Sequence, residues 1–168
     1  MTVDADELAG LPAHVQRLVA SAERYYRIMY HGGPESWNLR DGHMAETLEQ
    51  VLAARGEGSR AVVWAHNSHV GDARATEMGH RRGEHNIGQL VRERWGGEAA
   101  LLGFGTHAGT VAAASDWGGE VEVKRVLPSR PGSWERACHE AGQRTGLSRF
   151  LLDLRPEGPL HEALREPR

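Results

Sequence analysis

The residues with the most chemical potential in this chain stand at the end of one apolar run. Ala61-Val62-Val63-Trp64-Ala65 leads directly into His66-Asn67-Ser68-His69. A neutral imidazole can take a proton from water or a hydroxyl near pH 7, and general-base action of this kind contributes roughly 10²–10⁴-fold to a rate. His66 lies where an apolar strand would meet a polar loop, the carboxyl end at which α/β sheets bind ligands. Residues three apart on a strand face opposite sides, so His66 and His69 share a site only if the chain turns after His66. Asn67 and Ser68 suit such a turn. Two other readings stay open at this point. His66 could simply end the strand, with His69 in solvent. Alternatively, His-x-x-His could join Asp72, Glu77, His80 or His85 around a metal ion, although no His-Glu-x-x-His pattern and no cysteine pair accompany it.

Other chemistries lack their signatures. There is no Gly-x-Ser-x-Gly elbow and no phosphate-binding loop, and Gly103-Phe104-Gly105-Thr106 does not open a helix as a dinucleotide fingerprint would. Cys138 shares a helix face with Trp134 and Ala141, which reads as core packing. Arg81-Arg82 reads as a solvated loop, and the five tryptophans as packing residues.

These residues need elements to position them. Val15, Leu18, Val19, Ala22, Tyr26 and Met29 recur at helical spacing and predict an amphipathic helix over about 12–31. His31-Gly32-Gly33-Pro34 stops it. Asn38 reads as the N-cap of a second helix carrying Met44, Leu48, Val51 and Leu52, closed by Gly56-Glu57-Gly58-Ser59. The run 61–65 predicts a strand covered on both faces. A long polar loop without periodicity follows from Asn67 to Glu84. Asn86 caps a third helix with Ile87, Leu90, Val91 and Trp95. Strands are predicted over 99–104 and 110–115, and again around Val121 and Val123 after the Asp116–Gly119 turn. A helix over 133–144 and a strand over 149–154 complete the order ααβαβββαβ. The fold class is therefore α/β: a mixed sheet with a parallel β-α-β start and an antiparallel meander, with helices packed on the sheet.

At 168 residues the chain is long enough for one domain, or for a piece of a larger one. A net charge of −3 argues against a nucleic-acid partner, and no apolar run is long enough to span a bilayer. The acidic N-terminus has no apolar signal core, and a single cysteine fits a reducing compartment, so a cytoplasmic location is expected. Ten histidines mean that most must be incidental to any one site.

Two segments resemble one family in register. Trp37-Asn38-Leu39-Arg40-Asp41-Gly42-His43-Met44-Ala45-Glu46 is similar to the Asn-x-Arg-Asp-x-x-Met-Ala-Glu segment of erythromycin esterase-like proteins. Val62-Val63-Trp64-Ala65-His66-Asn67-Ser68-His69-Val70 is similar to their Trp-Ala-His-Asn-x-His segment, and Gly103-Phe104-Gly105 to the strand after it. The resemblance runs from about Trp37 to Leu154. It implies a hydrolase of an ester or lactone such as a macrolide, an activity tied to antibiotic resistance. Water would be activated by histidine, with no serine nucleophile, cofactor or obligatory metal. His66 would be the catalytic or substrate-polarising histidine, supported by His69. Arg40 and Asp41 would enter the cleft from the second helix, with Glu46 one turn on, and Asn67 and Trp64 would contact substrate. The family's earlier Gly-Glu-x-x-His-Gly segment is absent, since Gly83-Glu84-His85 lacks its spacing. The resemblance therefore implies the C-terminal part of such an enzyme and an incomplete α/β domain. Its missing acid/base pair would come from an N-terminal half on another chain, from self-association, or from Glu77 or His107. The competing expectation is a non-catalytic fragment with exposed apolar surface.

Overall fold

The computed structural model describes residues 10–30, 33–116, 118–155, 158 and 162. The chain divides at Gly103–Phe104 into two compact units. The turn residue Trp117 and much of the His31-Gly32 stop signal lie outside the described residues.

The first unit is helical. Helix α1 (Ala13–Met29) follows Pro12, whose carbonyl accepts the first helical N–H bonds. Helix α2 (Pro34–Arg55) packs on it. Of the apolar stripe expected on α1, Val15, Val19 and Ala22 are half-buried, whereas Leu18, Tyr26 and Met29 are exposed. Helix α2 begins five residues earlier than an N-cap at Asn38 predicts. Pro34 occupies the first helical position, where its missing N–H costs nothing and its φ is already helical. Gly33 supplies the φ of +86° that the entry needs. Asn38 thus lies inside the helix and spends its amide on a distant loop. Gly56, at φ +90°, ends α2.

The expected strand over 61–65 does not form. The segment makes no ladder, and Val62 and Trp64 are 91% and 85% exposed. A strand needs a neighbour to take its N–H and C=O groups. Among the described residues, 61–65 has no ladder pairing with another segment. The runs 99–104 and 149–154 are likewise not strands. The parallel β-α-β start therefore has no counterpart among the described residues.

The expected loop 67–84 is instead a series of short helical pieces. Helix α3 (Asn67–Val70), a 3₁₀ turn (Ala73–Ala75) and helix α4 (Glu77–Arg82) follow one another. Side-chain caps from His66 and Asp72 start the first two, which hydrophobic periodicity cannot reveal. Helix α5 (Ile87–Trp95) begins as expected at Asn86, whose Oδ1 accepts from Gln89 N–H at 2.9 Å.

The small core of this unit gathers where α2, α5 and residues 66–75 meet. Asp41, Ala45, Ala73, Asn86 and Ile87 are buried there. Gly88 allows the contact: a Cβ on it would stand 2.2 Å from the Gly71 carbonyl oxygen and 2.5 Å from Val70.

The second unit holds the sheet. Strands β1 (Gly109–Ala113) and β2 (Glu122–Val126) pair antiparallel, with Gly109 opposite Val126 and Ala113 opposite Glu122. Gly119 N–H bonds to Asp116 O at 3.1 Å in the expected turn. The meander is thus a single hairpin. Helix α6 (Trp134–Thr145) follows its predicted range, capped by Ser133 Oγ. Cys138 is half-buried on it. The described residues are therefore mixed α and β, mostly helical with one two-stranded antiparallel sheet. No described helix is long and apolar enough to cross a membrane.

Candidate active site

The site is built from three stretches of the first unit: the first turns of α2, the turn of α3, and the start of α5. Asp41 stands two turns into α2 and is 0% exposed. A buried carboxylate must be partnered. Both of its oxygens lie 3.0 Å from His69 Nδ1, and Oδ2 also accepts the Ile87 N–H at 3.1 Å. One side chain therefore ties α2 to α3 and α5.

A carboxylate can only accept hydrogen bonds, so His69 Nδ1 carries the hydrogen. In the neutral ring this leaves the lone pair on Nε2. The ring keeps 20% of its side chain exposed, so it is not sealed inside.

His66 has the opposite arrangement. It is the N-cap of α3, and its Nδ1 accepts the Ser68 N–H at 3.2 Å, with Ser68 Oγ at 3.0 Å. A backbone N–H can only donate, so Nδ1 holds the lone pair and the neutral ring bears its hydrogen on Nε2. His66 is exposed. The turn that the spacing required after His66 is present as the helical turn of α3. Two histidines three residues apart thus offer different groups, a base at His69 and a donor at His66.

Around them the chain is firmly tied. Asn86, 1% exposed, donates from Nδ2 to Ser68 O at 2.7 Å while capping α5. Asn38 donates to Gly83 O at 3.0 Å and accepts from His85 N–H at 2.8 Å. The Trp37 indole is stacked on His69, centroids 4.6 Å apart and planes 10° from parallel. Its Nε1–H donates to His85 O at 2.7 Å.

Of the residues singled out from sequence, the structure joins Asp41 to His69 and places Arg40 beside Trp37. The Arg40 guanidinium sits 4.9 Å over the Trp37 ring. Asn67 and Trp64 are exposed, in the turn and in the run before it. Glu46 is exposed too. Five residues along a helix turn it roughly 140° from Asp41. It lines an open groove of about 720 Å³ with Arg24, His43, Glu93 and Arg94. Glu77 pairs with Arg81 at 3.1 Å at the start of α4. His107 belongs to the second unit, where it meets Ser129 and His139. Among the described residues no three His, Cys, Asp or Glu side chains form a group that could hold a metal ion. Asp72 is engaged by Arg74 instead, whose side chain holds that carboxyl below its usual range, and His85 Nε2 lies 3.0 Å from Asn38 O.

Trp37, Asn86 and Gly88 carry more of the site than their sequence context suggested. Trp37 lies four residues before Asp41, and the start of α2 at Pro34 rather than after Asn38 is what places both on one helix face.

The model of the erythromycin esterase family matches residues 6–168 of the chain. No solved structure matches it.

Proposed function

The chain belongs to the erythromycin esterase family, which carries a hydrolase-type function, and from that premise we propose that it hydrolyses an ester or lactone such as a macrolide by histidine-assisted attack of water. The observation that supports this reading best is a pair of histidines that carry their hydrogens on opposite ring nitrogens. His69, held by buried Asp41, presents a basic Nε2, and His66, held by Ser68, presents an Nε2–H.

In this reading His69 Nε2 removes a proton from water as its oxygen bonds to the acyl carbon. The His66 Nε2–H donates to the carbonyl oxygen, which gains negative charge. The tetrahedral intermediate collapses with cleavage of the acyl C–O bond. The imidazolium of His69 returns the proton to the departing alkoxide, giving a carboxylic acid and an alcohol. Arg40, Asn67 and Trp64 contribute to holding the substrate, and Glu46, which faces away from Asp41, takes no part in the step.

The test is hydrolysis of a macrolide and of simple aryl esters by the purified chain. His69→Ala and His66→Ala should each lower kcat by about 10²–10⁴-fold. Hydrolysis that survives both substitutions unchanged sinks the reading.

A second reading is supported by the exposed apolar runs, Val62 and Trp64 among them. The chain would then act only when another polypeptide, or a second copy, covers that surface and adds further acid/base groups. Activity appearing only on addition of such a partner favours it.

A further inference from the structure

The Asp41 carboxylate fixes where His69 Nδ1 lies but not how its ring is turned. Both oxygens stand 3.0 Å from the same nitrogen, so rotation of the imidazole about that contact keeps both distances similar. What sets the plane is the parallel indole, 4.6 Å away with 10° between the rings. The indole is itself held. Its Nε1–H is bonded to His85 O at 2.7 Å, and the loop around His85 is bound back to α2 through Asn38 at Gly83 O and His85 N–H. The same loop leads into Ile87, whose N–H holds Asp41. Ring and carboxylate are therefore anchored to one piece of backbone, and both start from α2, four residues apart.

The geometry points to Trp37 as the positioning residue that fixes the plane of the His69 imidazole, and with it the direction in which Nε2 presents its lone pair. The inference rests on the hydrolase reading only for its kinetic consequence; its structural part stands alone. A general base loses rate steeply when its lone pair is misdirected, because the proton in flight needs a near-linear path. A stacked ring resists tilting across its whole face, whereas a carboxylate resists motion only along the hydrogen bond.

The experiment is NMR of the full chain with carbon-13- and nitrogen-15-labelled histidine, reading the order parameter of the His69 Cε1–H bond, run beside ester hydrolysis. In the native chain the His69 ring is rigid, with hydrogen on Nδ1. Trp37→Phe retains a stacking ring while losing Nε1–H. It keeps the ring rigid and a kcat within about 3-fold of native. Trp37→Leu removes the flat face. Its His69 keeps the hydrogen on Nδ1, since Asp41 still accepts it, but the ring loses order, and kcat falls about 10–100-fold with KM little changed. A folded Trp37→Leu chain whose His69 ring is as ordered as the native one overturns the inference. So does a Trp37→Phe chain whose ring loses order, since the Nε1–H bond rather than the stack would then be responsible; this variant decides the matter if Trp37→Leu does not fold. If His69→Ala hydrolyses as well as the native chain while the ring still loses order in Trp37→Leu, the hydrolase reading fails and the positioning role of Trp37 stands.

Discussion

Asp41 is the residue on which the candidate site turns, because a carboxylate with no exposed surface holds a histidine and a backbone amide together. Asp41→Asn keeps the shape but alters the donors. An amide NH₂ facing His69 Nδ1 favours the other tautomer, and one facing the Ile87 N–H sets donor against donor. The chain should lose about 1–3 kcal/mol of stability, measured by denaturant unfolding. Hydrolysis should drop about 10²–10⁴-fold, and a variant with native kcat would remove Asp41 from the mechanism. At this scale the sequence was partly legible. Resemblance placed Arg40, Asp41, His66 and His69 in one site, but spacing did not say that Asp41 pairs with His69 rather than His66. That choice depends on the cap at Ser68, which occupies His66 Nδ1, a local competition that periodicity does not encode.

The elements depend on close approach. Helix α5 starts against the α3 turn because Gly88 has no side chain. In Gly88→Ala the new methyl would meet the Val70–Gly71 backbone, so α5 must shift and pull Ile87 N–H away from Asp41. The expected loss is about 1–3 kcal/mol, with hydrolysis falling more than the stability loss accounts for. Equal stability and equal rate would show that the two elements can move apart freely.

The second unit has its own closely packed pair. His107 stacks on His139 with centroids 3.7 Å apart, and its Nδ1 lies 2.7 Å from Ser129 Oγ. Burial pushes the His107 pKa down, helped by His139 and Arg136 and opposed by Glu140. A histidine whose folded pKa is lowered protonates first in the unfolded chain. Its contribution is intact above the unfolded value of about 6.5 and is lost as pH falls below it. The melting temperature should therefore fall from pH 7 to pH 5, and His107→Phe should flatten part of that fall. An unchanged slope in His107→Phe would exclude the pair as its source.

Helices α5 and α6 were legible from sequence because Asn86 and Ser133 are caps with apolar spacing behind them. The strands were not. A valine-rich run has the propensity for a strand, but only a neighbouring backbone makes it one. Segment 61–65 has the composition but no ladder pairing among the described residues, whereas β1 and β2 have each other.

At the scale of the whole molecule, a great deal of apolar surface faces outward in both units. Val62, Trp64 and Leu102 are exposed in the first, and Val121, Val123 and Leu151 in the second. Scattered apolar residues are ordinary on a surface, but runs of them mark contact surfaces. Light scattering coupled to size exclusion should find the chain heavier than a monomer, increasingly so with concentration, and Val62→Asp should reduce that association. A monodisperse monomer with one cooperative unfolding transition would count against a covering partner.

The bond from Ile87 N–H to Asp41 has a consequence for how the site can be watched. That amide proton points into a fully buried carboxylate, so it can exchange with solvent deuterium only when α5 separates from α2. Any such opening also strips Asp41 of one of its partners. The exchange lifetime of a single backbone hydrogen thus measures how much of the time the histidine and its carboxylate are held in register, with no substrate present and no turnover required.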